Sequence, residues 1–233
     1  MSLKLASLTL NAVYLGTTSI NKAYLGAQLI YDKTGGGGGI TFIGAVSDSG
    51  DGVGDRPLVP HANTQAGDII IGLWGCRETS GGVIDAAFTS KGRIDGYATS
   101  GRQEVLVGMK VSGADETGTY ANTGNGYKHN CSALITLRGA SDILVRDGTP
   151  TTGDTITIPT FTPTAGSYIL ALWQSSYANT ITGPSHGTVH VNEQPNDYKM
   201  WVEGFLAGAT VPALTGNFSS TSNNGGGFIE VLI

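Results

Sequence analysis

The sequence is poor in charged residues, and glutamate is especially scarce. Charged residues make up 13% of the 233 residues, and only six of them are glutamates; the usual charged share is about 25%. Helical proteins carry Glu and Lys on their exposed faces because both are strong helix formers. Here Thr, Ser, Asn and 36 glycines take the polar and turn positions. The shortage disfavours helices and indicates strands joined by many turns.

Clustered basic residues, a leader segment and long apolar runs are also missing. Lys and Arg are scattered and the formal net charge is −5, whereas nucleic-acid-binding proteins present a clustered basic face. The first five residues show neither the apolar region nor the cleavage site of a secretory signal. The longest apolar stretch, around residues 69–76, is too short to span a bilayer. We expect no nucleic-acid partner, no membrane insertion and a soluble product made inside the cell.

Cysteine is nearly absent, with Cys76 and Cys131 the only two. Free buried thiols are favoured over one disulfide, because the expected compartment is reducing. His129 precedes Cys131 by two residues, a spacing that matches no established zinc motif. The sequence therefore predicts neither a metal site nor a cofactor at these positions.

An acidic, glycine-rich stretch covers residues 48–55. Asp48, Asp51 and Asp55 could gather oxygen ligands for calcium. The spacing departs from the EF-hand loop, whose ligands alternate and end on a glutamate. A solvated turn is the preferred interpretation.

The N-terminal segment contains a short repeat. Residues 11–16 read Asn-Ala-Val-Tyr-Leu-Gly and residues 21–26 read Asn-Lys-Ala-Tyr-Leu-Gly. A glycine opens each two-residue turn, at 16–17 and 26–27, which predicts a three-stranded meander with strands 8–15, 18–25 and 28–32. Both faces of the meander are partly apolar, and a sheet this small rarely folds alone. We expect residues 1–33 to dock on another protein through Asn11, Tyr14, Leu15, Gly16, Asn21, Tyr24, Leu25, Gly26 and Tyr31.

A glycine-rich linker at residues 34–39 follows the meander. Five consecutive glycines occupy 35–39, and a flexible chain of that length spans about 12 Å. The linker therefore separates two independently packed parts, residues 1–33 and residues 40–233.

The larger part shows short strands with frequent turns, the pattern of an all-β sandwich or jelly roll. No segment has a helical period. The predicted strands are 41–46, 68–74, 104–111, 132–137, 154–161, 167–173, 188–191, 199–205 and 227–233.

This larger part also contains two stretches of similar sequence. Residues 66–74 read Ala-Gly-Asp-Ile-Ile-Ile-Gly-Leu-Trp and residues 165–173 read Ala-Gly-Ser-Tyr-Ile-Leu-Ala-Leu-Trp. The offset of 99 residues, with further matches behind it, predicts a duplication with halves near 40–140 and 141–233. Strand spacing leaves open whether the halves form two sandwiches or one.

The N-terminal doublet resembles a short motif of tail and fibre proteins of tailed bacteriophages, in which a Tyr-Leu-Gly hairpin pair lies near one end of a variable protein. The strand at 66–74, with Ala-Leu-Ile-Thr-Leu-Arg-Gly at 133–139, is similar to β-sandwich domains of phage and gene-transfer-agent virion proteins. The resemblance implies a structural or host-adhesion role, a homo-oligomer and location in the virion. Residues 1–33 would then contact other virion proteins.

Two patterns invite an enzymatic interpretation. Residues 183–187 read Gly-Pro-Ser-His-Gly, but a nucleophile elbow at Ser185 needs a strand before it and a helix after it. A plain turn is preferred. Glu104 and Glu203 lie on corresponding strands, and a glycosidase needs two carboxylates about 5–10 Å apart. A strand-end glutamate is commonly just solvated, so no catalytic residue is predicted.

The three tryptophans differ. Trp74 and Trp173 occupy matched repeat positions, which indicates core packing, whereas alternation places Trp201 with Lys199, Glu203 and Phe205. A tryptophan among charged neighbours is a candidate platform for a sugar or a subunit interface.

Together these patterns predict a non-enzymatic phage tail-tip, fibre or spike component that binds a host-surface polysaccharide through Trp201. The alternative is a purely architectural or capsid decoration protein, and a polysaccharide-degrading enzyme ranks third.

Overall fold

A computed structural model describes the N-terminal segment by the backbone of its strands alone. It describes side chains over residues 39–50, 56–77, 84–96, 103–114, 116–121, 129–148, 152–176, 180–181, 186–195, 198–219, 221 and 223–233.

The N-terminal segment contains two antiparallel strand pairs. Strands β1 (Val13–Leu15) and β2 (Thr18–Ile20) pair with each other, as do β3 (Lys22–Leu25) and β4 (Gln28–Asp32). Leu15 is opposite Thr18 and Leu25 is opposite Gln28, so two residues join the strands of each pair, as the glycine positions predict. The predicted middle strand 18–25 is described as two strands, and residue 21 lies outside the described residues.

The larger part is all-β in its described residues and contains two five-stranded antiparallel sheets. The first sheet has the order β5-β9-β6-β8-β7, built from β5 (Thr41–Asp51), β6 (Ile69–Arg77), β7 (Thr89–Asp95), β8 (Gln103–Val111) and β9 (His129–Arg138). The second has the order β10-β16-β12-β14-β13, built from β10 (Asp142–Asp147), β12 (Tyr168–Ser175), β13 (Thr188–Glu193), β14 (Lys199–Leu206) and β16 (Asn224–Leu232).

The two sheets share one connectivity, which extends the repeat to every strand. Trp74 of β6 is opposite Leu106 of β8, and Trp173 of β12 is opposite Trp201 of β14. The edge strands β7 and β13 carry a bulge at matching places, after Ser90 and after Val189. A left-handed glycine precedes each repeated strand, Gly67 with φ 85° and Gly166 with φ 84°, because the turn there needs a positive φ.

One hydrophobic core lies between the sheets, so the halves form one sandwich. The core draws buried side chains from both sheets, including Leu73 and Val107 of the first and Leu172 and Val202 of the second. Polar groups also cross it: the Gln174 side-chain amide donates to the carbonyl of Ile94, 2.7 Å away. Since each half alone exposes an apolar face, neither sheet is complete without the other.

The connecting segments cover the outer faces of both sheets. On the second sheet, β11 (Thr155–Ile158) pairs with β15 (Leu214–Asn217) and packs on Ile169, Ala171 and Trp173. On the first sheet, the segments joined by the Leu58–Tyr120 bridge pack on Ile70, Trp74 and Leu134. Residues 40–233 therefore form a four-layered sandwich in which the central strands of both sheets are buried on both sides.

Several details differ from the prediction. Jelly-roll connectivity is not confirmed, because each half stays in one sheet and the strand order is not that of a Greek key. Strands β7, β10 and β15 were not predicted. Strand β5 continues through residue 51, so residues 48–51 are strand rather than the predicted turn, and residues 52–55 lie outside the described residues.

Candidate functional site on the outer face of the second sheet

Trp201 lies on the outer face of β14. Its neighbours Met200 and Val202 point into the core between the sheets, so alternation turns Trp201 outward. There it is partly buried against the outer hydrophobic cluster, between Trp173 of β12 and Asn192 of β13. The predicted face is confirmed, and part of the indole remains open to solvent.

Polar side chains surround Trp201 toward the start of β14. The Lys199 side chain is only 6% exposed, and its Nζ lies 5.8 Å from the centre of the Trp201 ring. This ammonium donates to the amide oxygens of Asn192 and of Gln194, the latter 3.2 Å away. Burial lowers the pKa of Lys199. The cluster combines an aromatic face, a buried cation and two exposed amides, a set suited to hydrogen-bonding and stacking against a polar ring.

The register explains why these four side chains meet. Asn192 is opposite Trp201 and Glu193 is opposite Met200, so the outward residues of β13 and β14 form one patch. The sequence places Trp201 and Lys199 on one face, but it does not identify Asn192 and Gln194 as their partners. Lys199 could be found from the alternation around Trp201. Asn192 and Gln194 could not, because nothing in the sequence shows that β13 pairs with β14.

The residues that follow Ser185 do not form the helix of a nucleophile elbow. Residues 182–185 lie outside the described residues, but His186 and Gly187 lead directly into strand β13 instead of a helix, and the elbow requires a helix. The backbone N–H of His186 donates to Glu203 Oε2, 3.1 Å away. Glu203 therefore holds the turn that enters β13.

Glu104 and Glu203 do not form a pair. Glu104 shares the outer face of the first sheet with Leu106, and Glu203 shares the outer face of the second sheet with Trp201. The whole sandwich separates the two carboxyl groups, and its sheets alone lie about 10 Å apart. The suggested glycosidase pair is wrong, because corresponding strands belong to opposite sheets.

The cysteines are buried and not disulfide-bonded, as predicted. Cys131 is opposite Gly75 on the neighbouring strand, so alternation points Cys76 and Cys131 to opposite faces of the sheet and prevents a bond. Burial raises the pKa of the Cys131 thiol well above its usual value. Among the described residues no group of three His, Cys, Asp or Glu side chains is placed to hold a metal ion.

The predicted attachment residues all belong to the N-terminal segment. Tyr14, Leu15, Tyr24, Leu25 and Tyr31 lie in the N-terminal strands, whose side chains are not described. Asn11, Gly16, Asn21 and Gly26 lie outside the described residues.

Comparison of the chain with protein-family models, with curated proteins and with solved structures finds no match. In the part of the chain that the structure describes, no helix has the length and hydropathy needed to cross a membrane.

Proposed function

We propose that the chain is a non-enzymatic virion structural protein of a tailed bacteriophage, a tail-tip, fibre or spike component. Residues 1–33 attach it to other virion proteins, and the sandwich binds a host-surface polysaccharide on the patch around Trp201. The resemblance of the Tyr-Leu-Gly doublet to phage tail and fibre proteins supports the first part. The position of the patch relative to the linker supports the second.

That position is the observation that carries the proposal. The linker enters the sandwich at Thr41, opposite Arg138, beside the start of β6. The other end of β6 packs on the start of β14, because a Cβ on Gly75 would lie 2.5 Å from the Tyr198 hydroxyl. Lys199 follows Tyr198 directly, so the patch lies toward the end of the sandwich opposite the linker. An adhesion site on a tethered domain needs that placement, away from the particle.

The attachment role is tested by deleting residues 1–33. We expect the truncated protein to keep the melting temperature of the sandwich but to be missing from purified particles, because the core described between the sheets is built from residues 40–231. Antibody detection of the protein on particles measures incorporation. Normal incorporation of the truncated chain would contradict the attachment role.

The adhesion role is tested with Trp201→Ala, and Leu106→Ala is the matched control. Leu106 occupies the place of Trp201 in the first sheet, opposite Trp74. Binding of the purified full chain to host cells and surface polysaccharide should fall with Trp201→Ala and persist with Leu106→Ala. Equal binding by both variants would contradict the site, and release of sugar fragments from the polysaccharide would contradict the non-enzymatic part.

The alternative, a purely architectural or decoration protein, also has an observation in its favour. The outer layers cover both sheets, and Trp201 itself packs against the cover of the second sheet. An architectural protein would lose particle incorporation on deletion of residues 1–33 and show no host binding at all. The two experiments together therefore separate the alternatives.

A further inference from the structure

The ammonium group of Lys199 has different partners from those of the other lysines whose side chains the structure describes. Lys91 contacts the carboxylate of Asp142, and Lys110 contacts the carboxylate of Glu116. Lys199 is more deeply buried than either, yet the partners that its ammonium contacts among the described residues are the neutral amide oxygens of Asn192 and Gln194. Lysines this buried are normally paired with an opposite charge.

The carboxylate of Glu193 does not form an ion pair with Lys199. Glu193 is the residue between Asn192 and Gln194, but alternation turns it toward the first sheet. Its Oε1 accepts from Ser47 Oγ at 2.6 Å and its Oε2 accepts from Ser49 Oγ at 2.8 Å. Both oxygens therefore bond to the edge of the first sheet. The charge of Glu193 acts on Lys199 only from a distance, where it opposes the lowering of the Lys199 pKa by burial.

The contacts described for Lys199 leave one of its donors for an anion. An ammonium has three N–H donors, and the two amide oxygens use two of them. Both amide side chains belong to exposed residues, so they can turn aside without disturbing the core. The open part of the Trp201 ring lies alongside, with Lys199 Nζ 5.8 Å from its centre.

We propose that the saccharide bound at Trp201 is acidic, with its carboxylate on Lys199 and its ring on the Trp201 indole. A carboxylate would give the buried ammonium a charge-assisted hydrogen bond, which is shorter and stronger than a bond to a neutral amide. The apolar face of the sugar would stack on the indole, and Asn192 and Gln194 would turn to its hydroxyl groups. This inference rests on the proposed adhesion function.

The test uses paired oligosaccharides on a glycan array and in solution. Each acidic member carries a uronic acid, and each neutral partner is the same sugar after reduction of its carboxyl group to the alcohol. The full-length chain should bind acidic members about tenfold more tightly than their partners, since one charge-assisted hydrogen bond separates them. Lys199→Met keeps the length of the side chain and should abolish the preference, whereas Lys91→Met, on the opposite edge, should retain it.

The outcomes separate the two proposals. If acidic and neutral partners bind equally and Trp201→Ala removes both, the adhesion function stands and the acidic ligand is refuted. Acid preference that survives Lys199→Met also refutes the role of Lys199. If the chain binds neither kind of saccharide, both proposals fail. Thermal unfolding of Lys199→Met verifies that a loss of binding does not come from a loss of the fold.

Discussion

The contrast between Trp173 and Trp201 gives the sharpest test of the sandwich. Trp173 is 2% exposed and is packed beneath the outer layer, where it contacts the backbone at Gly216 and Gly226. Replacement with alanine should cost about 3–5 kcal/mol, the usual loss for a large buried aromatic. The buried area gives a similar value of about 4–6 kcal/mol, since a buried tryptophan removes about 150–250 Å² from water at about 25 cal/mol per Å².

Replacing Trp201 with alanine should reduce the free energy of unfolding by less, because Trp201 is only partly buried on the same face. If about half of its area is covered, the same calculation gives about 2 kcal/mol. In a domain of this size, 1 kcal/mol shifts the melting temperature by about 2–4 °C. Trp173→Ala should therefore lower it by about 6–20 °C and Trp201→Ala by about 4–8 °C.

Urea unfolding followed by circular dichroism measures both variants, and Trp74→Ala is the matched control. Trp74 holds the place of Trp173 in the first sheet and is 1% exposed, so its loss should resemble that of Trp173. If Trp201→Ala unfolds the sandwich as severely as Trp173→Ala, Trp201 is a core residue and the proposed platform is wrong. If Trp173→Ala costs less than 1 kcal/mol, the outer layer does not pack as the structure describes.

Three further predictions follow from the packing and the charges. Gly226→Ala should destabilise the fold by about 1–3 kcal/mol, because the new Cβ would lie 2.6 Å from the Trp173 ring; urea unfolding measures the loss, and an unchanged midpoint would contradict the contact. Burial raises the pKa of Asp147 to about 6, so the fold prefers the protonated acid and loses stability as the pH rises from about 4 to 6. The carboxyl group of Asp147 is desolvated but the residue as a whole is exposed, so Asp147→Asn should raise stability at pH 7.5 by no more than about 1 kcal/mol and have little effect at pH 4. Equal effects at both pH values would argue against the shift. Burial against Phe42 lowers the pKa of His190, so stability should fall as the pH drops below about 6.5, and His190→Gln should reduce that fall in thermal melts across pH 5–7.5.

Burial separates the central strands that the sequence predicts from two of the three strands that it does not. The central strands β6, β12 and β16 are almost continuously buried, and they appear in the sequence as apolar runs. The missed strands β7 and β10 are the edge strands on one side of the sandwich, and most of their residues are exposed or partly exposed. An edge strand with polar residues on both faces carries no period-two signal, because only its pairing with a neighbour makes it a strand.

The repeat was predictable in outline but its meaning was not. The Ala-Gly turns before β6 and β12 were visible because both turns need glycine at a positive φ. That the two copies face each other depends on contacts between residues 80 to 146 positions apart in the sequence. Gln174 bonded to Ile94, and Glu193 bonded to Ser47 and Ser49, are such contacts. No local pattern encodes them.

By itself, the sequence determined the strand-rich class, the duplication, the buried state of Trp74 and Trp173 and the outward direction of Trp201. Each of these depends on local chemistry: glycine at turns, alternation along a strand and apolar runs. The tertiary structure alone decided that the halves share one core, that Glu104 and Glu203 lie on opposite outer faces, and that Lys199 is buried beside Trp201 with amide partners. These features depend on which surfaces meet, and that is set by the burial of two apolar sheet faces against each other after the strands have formed.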